Sequence, residues 1–272
     1  MDRADDMHIA PIAGGEISYV EAGKGPAIVW LHGIGSGARS WRHQKAFFSD
    51  RFRVVMWNAP GYGQSTPPPN PFPSAGDYAV SLVGLLDVLQ IERCHLVGHS
   101  LGALMATRFA ADYGDERLLS LTLCGAAGGK GRLSPEQQSA ILAERLGDLR
   151  RLGPRGMAEK RGPRLLGPRA TADMIQEVVD IQANTVTAAG YERAARMLVR
   201  ADLYSDLKRL PASLRMQVVY GEDDSITSPE SNQKIAAACG APAHAVAGAG
   251  HALYLEQPAR FDEAIQNLLA QA

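Results

Sequence analysis

Three short stretches carry residue types from which nucleophilic chemistry could be built. Gly98-His99-Ser100-Leu101-Gly102 sets a serine between glycines in the pattern G-x-S-x-G. That spacing suits a sharp strand-to-helix turn, which pushes a serine hydroxyl out alone at a strand tip. The glycines have a steric job, because a Cβ at Gly98 or Gly102 would collide with backbone that the turn brings close. A serine hydroxyl needs a general base, and the base needs an orienting acid. Downstream, Gly221-Glu222-Asp223-Asp224-Ser225 offers neighbouring carboxylates, and Gly248-Ala249-Gly250-His251-Ala252 offers an imidazole. His251 could take the Ser100 proton, and Asp223 or Asp224 could hold the imidazole and stabilise its charged form. An oxyanion needs two backbone donors in place before it forms. The Leu101 N–H is expected to be one. The Ile34 N–H, within His32-Gly33-Ile34-Gly35-Ser36-Gly37, is expected to be the other.

The remaining candidates point to structure rather than chemistry. His244 falls inside a strand pattern and is expected to be structural, His99 is expected to pack, and His8, His43 and His95 have no partner pattern. No His/Cys cluster has zinc-ligand spacing, so neither a metal ion nor a cofactor is expected. Cys94, Cys124 and Cys239 each sit in or beside an apolar segment and read as small core residues.

These residues need strands and helices to position them. Met7 to Ala13 and Glu16 to Glu21 read as paired strands around Gly14 and Gly15. Ala27 to Leu31, Arg53 to Trp57, Cys94 to Val97, Leu118 to Cys124, Leu214 to Tyr220 and Ala243 to Val246 read as further strands. Helical spacing occupies Asp77 to Leu89, Leu101 to Tyr113, Pro229 to Ala238 and Pro258 to Ala270, while the proline-rich stretch Thr66 to Ser74 reads as irregular. Strand alternating with helix implies a parallel sheet covered on both faces, with its site at the carboxyl ends of the strands. From Ser134 to about Leu207 the pattern is helical only, with helices expected over Ala172 to Ala188 and Tyr191 to Val199. Gly-Pro pairs at 153, 162 and 167 punctuate that segment. The expected organisation is an α/β core over residues 1–130 and 208–272, interrupted by a helical cap over residues 131–207.

Composition narrows the class. The chain has 272 residues, 46% of them hydrophobic, enough for a sizeable core. A formal net charge of -1 argues against a general nucleic-acid or membrane-surface partner. Met1 to Met7 is polar and acidic, with no apolar stretch of signal-peptide type, and no run approaches a membrane span. With an odd number of cysteines, the expectation is a cytoplasmic protein whose partner is a small-molecule substrate. Oligomeric state is left open.

The motifs together resemble the α/β-hydrolases of the lipase and esterase type that carry a helical cap. The resemblance rests on H-G-I-G at 32 to 35, N-A-P-G-Y-G-Q-S at 58 to 65, G-H-S-L-G at 98 to 102, G-E-D-D at 221 to 224 and G-H-A-L-Y-L-E-Q-P at 250 to 258. It implies the α/β-hydrolase fold, a mostly parallel eight-stranded sheet flanked by helices. It implies a catalytic triad of Ser100, Asp224 and His251, because the family acid stands three residues after the glycine that closes its strand. Relatives often have aspartate where this chain has Asn58, a departure in a structural loop. Haloalkane dehalogenases and epoxide hydrolases resemble the chain too but use an aspartate nucleophile, which Ser100 is not.

The expected activity is cofactor-free hydrolysis of a small carboxylic ester or lactone through an acyl-enzyme. The family uses the same triad to hydrolyse carbon–carbon bonds in ring-cleavage dienones, so that is the alternative chemistry. A ligand sensor with slow turnover is the alternative from another class, since fold does not fix function. Residues 187 to 203, T-A-A-G-Y-E-R-A-A-R-M-L-V-R-A-D-L, resemble the cap of 3-oxoadipate enol-lactone hydrolases. The first half of the cap is rich in arginine, with Arg132, Arg145, Arg150, Arg151, Arg155, Arg161, Arg164 and Arg169. Most are expected on a solvated face, with one or two free to meet a substrate carboxylate.

Overall fold

The computed structural model describes residues 7–270. The reading of the N-terminus as lacking an apolar leader falls, apart from Met7, outside them. The strands are β1 (Met7–Ile12), β2 (Gly15–Ala22), β3 (Ala27–Leu31), β4 (Arg53–Trp57), β5 (Cys94–His99), β6 (Leu118–Cys124), β7 (Met216–Gly221) and β8 (Ala243–Val246). They form one eight-stranded sheet in the order β1-β2-β4-β3-β5-β6-β7-β8. β1 and β2 pair antiparallel, as do β2 and β4, and every other pairing is parallel.

Side chains on a strand alternate between faces, and both faces here are covered. From β3, Val29 and Leu31 enter one apolar cluster, while Ile28 and Trp30 enter the other. The first cluster is covered by α2 (Ala75–Val88), α3 (Leu101–Arg117) and α8 (Pro229–Cys239). The second is covered by α1 (Arg42–Phe48) and by α9 (Leu253–Glu256) with α10 (Pro258–Leu269). That second face is aromatic: Trp30 lies 5.0 Å from Trp41 and 5.7 Å from Phe48, centroid to centroid. Neither α1 nor α9 was expected from periodicity, because each is too short to show a helical repeat.

Between β6 and β7 the chain makes only helices: α4 (Pro135–Arg161), α5 (Ala172–Thr185), α6 (Ala188–Arg200) and α7 (Leu203–Leu207). Ser134 caps α4 as the sequence suggests, its hydroxyl accepting from the Gln137 N–H. At Gly153, before Pro154, the backbone leaves the helical region with φ +65, so α4 is two helices meeting at a kink. The helix expected from Ala172 to Ala188 stops at Thr185, where Thr187 caps α6 through the Gly190 N–H. The hydroxyl competes with helix continuation, which apolar spacing alone does not reveal. β8 is an edge strand with three of its four residues exposed; His244 lies within it, as the sequence suggests, paired with Val219 of β7 and exposed. Among the described residues no helix is long and apolar enough to cross a membrane.

β3 is flanked by β4 on one side and β5 on the other. The chain therefore leaves β3 in one direction and returns to its other side, a point where loops part and leave a crevice. The loop after β3 and the turn after β5 meet there.

Candidate active site

The turn from β5 to α3 carries Ser100. Its backbone sits at φ +53 and ψ −112, and Gln90 is the one other non-glycine residue at positive φ among the described residues. Such a conformation costs of order 1–3 kcal/mol and persists because its surroundings impose it. The Ser100 N–H donates to the Cys124 carbonyl at 2.9 Å, and the Ser100 carbonyl accepts from Ala103 and Ala127. A Cβ on Gly98 would stand 2.5 Å from the Gly102 carbonyl oxygen, and one on Gly102 would stand 2.3 Å from that of Leu31. Neither position admits any other residue.

At the ends of β7 and β8 the structure brings Asp224 and His251 together, with Asp224 Oδ2 accepting from His251 Nδ1 at 2.8 Å. Asp224 and His251 are each 3% exposed and Ser100 is 7% exposed. Asp224 Oδ1 accepts from the N–H groups of Ile226 and Thr227, and Oδ2 accepts from the Thr227 hydroxyl. Burial pushes this carboxyl up, but the bonds and charge of His251 and the bonds from Thr227 outweigh it, leaving Asp224 below the usual carboxylate range. Asp223 has no such bond: its N–H donates to the Ala249 carbonyl. Gly125 backs the pair, since a Cβ there would lie 3.3 Å from His251 Nδ1 and 3.4 Å from Asp224 Oδ2.

Leu101 opens α3, so its N–H is one of the first-turn donors that a helix cannot satisfy internally. Ile34 lies in the loop after β3, held by two buried side chains. His32 Nε2 accepts from the Ala59 N–H at 3.0 Å, so the proton is on Nδ1, which donates to the Gly33 carbonyl at 2.7 Å. That carbonyl and the Ile34 N–H belong to one peptide group, so the donation polarises the N–H. Burial lowers the His32 pKa to about 4, which keeps the ring neutral near pH 7. Tyr62 donates to the Ile34 carbonyl at 3.0 Å. Asn58, the departure noted in the sequence, accepts from Ala38 N–H and donates to the Ser18 hydroxyl. An ionised aspartate can only accept, so the Ser18 hydroxyl would have to turn and donate to it.

Two further residues brace the histidine. His99, expected only to pack, lies with its ring centroid 4.6 Å from that of His251 and lines the same cavity. Glu256 is buried and accepts from the N–H of Gly250 at 2.8 Å and of Gly167 at 2.7 Å. Gly167 belongs to the helical segment, and Leu165 beside it accepts from the Ala252 N–H at 2.7 Å. The loop of His251 is thus pinned on both sides to the chain between α4 and α5.

Ser100 and His251 line a cavity of about 460 Å³ together with Ile34 and Leu101. The helical segment contributes Arg145, Arg161, Arg164, Gln182 and Tyr191 to its lining. Three other arginines of this segment have carboxylate partners: Arg132 pairs with Asp202, Arg151 with Asp148, and Arg155 with Glu159 and Asp180. Sequence reasoning missed Thr227, Glu256, Tyr62 and Gln182. A hydroxyl residue three positions after an acid is the local signal for Thr227. Glu256 and Tyr62 stood inside recognised motifs without an assigned role. Nothing local marks Gln182, which reaches the cavity only because α5 folds over it.

The family model for the alpha/beta hydrolase family matches residues 28–264. An esterase from Thermogutta terrifontis, solved with malate bound, superposes with a TM-score of 0.86 at 26% identity, covering 97% of this chain and 98% of that one. The enol-lactonase from Burkholderia xenovorans LB400 superposes with a TM-score of 0.84 at 25% identity, covering 97% and 100%. A 2-hydroxy-6-oxo-6-phenylhexa-2,4-dienoate hydrolase from Comamonas testosteroni is 37% identical over 130 residues, covering 46% of this chain and 45% of that one. With the strand order, the serine turn and a family match over most of its length, the chain belongs to the alpha/beta hydrolase family.

Proposed function

We propose that this hydrolase is a cofactor-free serine hydrolase of small carboxylic esters or lactones. Ser100 Oγ attacks the carbonyl carbon while its proton passes to His251. The bond to the leaving oxygen breaks as His251 returns that proton. Water, deprotonated by His251, then attacks the acyl-enzyme and releases the acid and the serine. Asp224 holds His251 in the required tautomer and stabilises its charged form. The N–H groups of Ile34 and Leu101 take the developing oxyanion. Residues 131–207 act as a cap that roofs the cavity and selects what enters.

The observation that carries this reading is the buried Asp224–His251 hydrogen bond beside a serine in a strained turn, with Ser100 and His251 both facing one cavity. Likeness to an esterase and an enol-lactonase over nearly the whole chain supports the bond type. A second reading, hydrolysis of a carbon–carbon bond in a dienone, is favoured by the dienoate hydrolase relative, whose similarity extends over about half the chain.

Labelling with a fluorophosphonate probe tests the nucleophile. The parent should be labelled, and Ser100→Ala should not; His251→Ala should label at least about a hundredfold more slowly. Undiminished labelling of Ser100→Ala would sink the proposal. A panel of p-nitrophenyl esters, enol-lactones and coloured dienones then separates the two readings by kcat/KM.

A further inference from the structure

The cavity that Ser100 lines has an unbalanced charge. Lys130, Arg145, Arg161 and Arg164 line it, and no aspartate or glutamate does among the described residues. Arg161 is already neutralised, with Nη2 at 2.7 Å from Asp148 and 3.5 Å from Glu144. Asp148 serves Arg151 and Lys160 as well, at 3.0 Å and 2.8 Å, so it has no charge to spare for a neighbour. Arg145 is half-buried and donates only to a neutral group, the Tyr191 hydroxyl, at 3.3 Å. Arg164 and Lys130, both exposed, make no ion pair among the described residues.

Arg150 and Arg169 make no ion pair among the described residues either, but they do not line the cavity. Arg132, Arg151 and Arg155 do not line the cavity and find carboxylates on the protein. Arg145 and Arg164 face the cavity and find none. Arg145, partly withdrawn from water without an anion, loses hydration and gains little in return, whereas Arg164 is exposed. An anion entering the cavity would supply the missing partner, in a fork geometry that suits a carboxylate. Apolar Ile34, Leu165 and Leu198 line the same space, so the anion must be part of an organic molecule small enough for about 460 Å³.

We propose that Arg145 and Arg164 form a carboxylate subsite, so that the preferred substrates are esters or lactones bearing a free carboxylate away from the scissile bond. The inference rests on the hydrolase reading above and deepens it to a substrate class. Arg164 lies on the turn Gly162–Leu165, whose last residue accepts from Ala252 beside His251. A carboxylate held by Arg164 therefore seats the substrate on the strap that also holds the His251 loop.

The test compares mono-4-nitrophenyl glutarate with 4-nitrophenyl butyrate, and 4-acetoxybenzoate with phenyl acetate. The first pair carries the carboxylate on the acyl side, the second on the leaving group. In Arg145→Met, Arg164→Gln and the double variant, the anionic-to-neutral ratio of kcat/KM should fall at least about tenfold in one pair or both. A ratio within about twofold of the parent for both pairs in the double variant overturns the subsite. Calorimetric binding of glutarate to Ser100→Ala protein, with and without the double arginine substitution, gives a readout that needs no turnover. Binding lost with the arginines supports the subsite, and binding unchanged or absent in both overturns it. If the parent hydrolyses no ester yet binds glutarate through the arginines, the hydrolase reading fails while the anion site stands.

Discussion

His99 Nε2 lies 2.9 Å from the backbone carbonyl of His251. A carbonyl can only accept, so Nε2 carries the proton and Nδ1, buried and without a hydrogen-bond partner, carries the lone pair. Burial, and then the neighbouring His251, hold the His99 pKa well below the usual histidine range. A ring kept neutral near pH 7 thus holds the main chain of the proposed general base. His99→Phe keeps a ring against Trp41 and Tyr254 but leaves the His251 carbonyl unbonded, at a cost of about 1–3 kcal/mol. The expected result is a lower kcat with KM little changed, measured beside the melting temperature.

Glu256 should act on the same loop from the other side. Both of its oxygens accept from N–H groups, and burial raises its pKa even though those bonds oppose the shift. Glu256→Gln turns one acceptor into a donor facing an N–H. We expect kcat to drop by about tenfold or more and thermal stability to fall. Glu256→Gln with parental kcat would show that the clamp does not position His251.

At Gly125 the backbone has φ +45, and the missing Cβ leaves room for the acid–base pair. Gly125→Ala adds backbone strain of about 1 kcal/mol or more and moves a methyl against His251 and Asp224. The loss in kcat should exceed what the change in melting temperature explains. Rates on a neutral ester beside calorimetry decide this.

His32 links pH to stability. Its folded pKa, about 4, lies below the unfolded value near 6.5, so the unfolded chain binds the extra proton first. The contribution of neutral His32 is complete above pH 6.5 and is lost as pH falls toward 4. His95, also lowered to about 4 by burial and then by Arg215, adds in the same direction. Denaturant midpoints at pH 7, 5.5 and 4.5 should decrease in that order. His32→Asn should flatten the profile and lower the midpoint at pH 7.

The order of elements in the α/β core was readable because each strand is a short apolar run bounded by glycine or polar residues. Ala27 to Leu31, Arg53 to Trp57 and Leu118 to Cys124 form strands with the predicted ends. Helix ends were less readable, since a cap such as Thr187 acts through one hydroxyl and leaves the apolar spacing on either side unchanged.

By itself the sequence determined the chemistry within reach. Gly98 and Gly102 are imposed by backbone contacts under 3 Å, and such a constraint is written into a local motif. So are a serine between them and an acid and a histidine at later strand ends. The residues by themselves left Asp223 and Asp224 open and the family spacing implied Asp224; the turn after β7 aims that carboxylate at His251. Tertiary structure alone separated Arg145 and Arg164 from the six other arginines between residues 131 and 170, and it alone brought Gln182 to the cavity. Those outcomes depend on how helices more than a hundred residues from β3 settle over it, and side-chain pairing across such distances leaves no periodic trace in the chain.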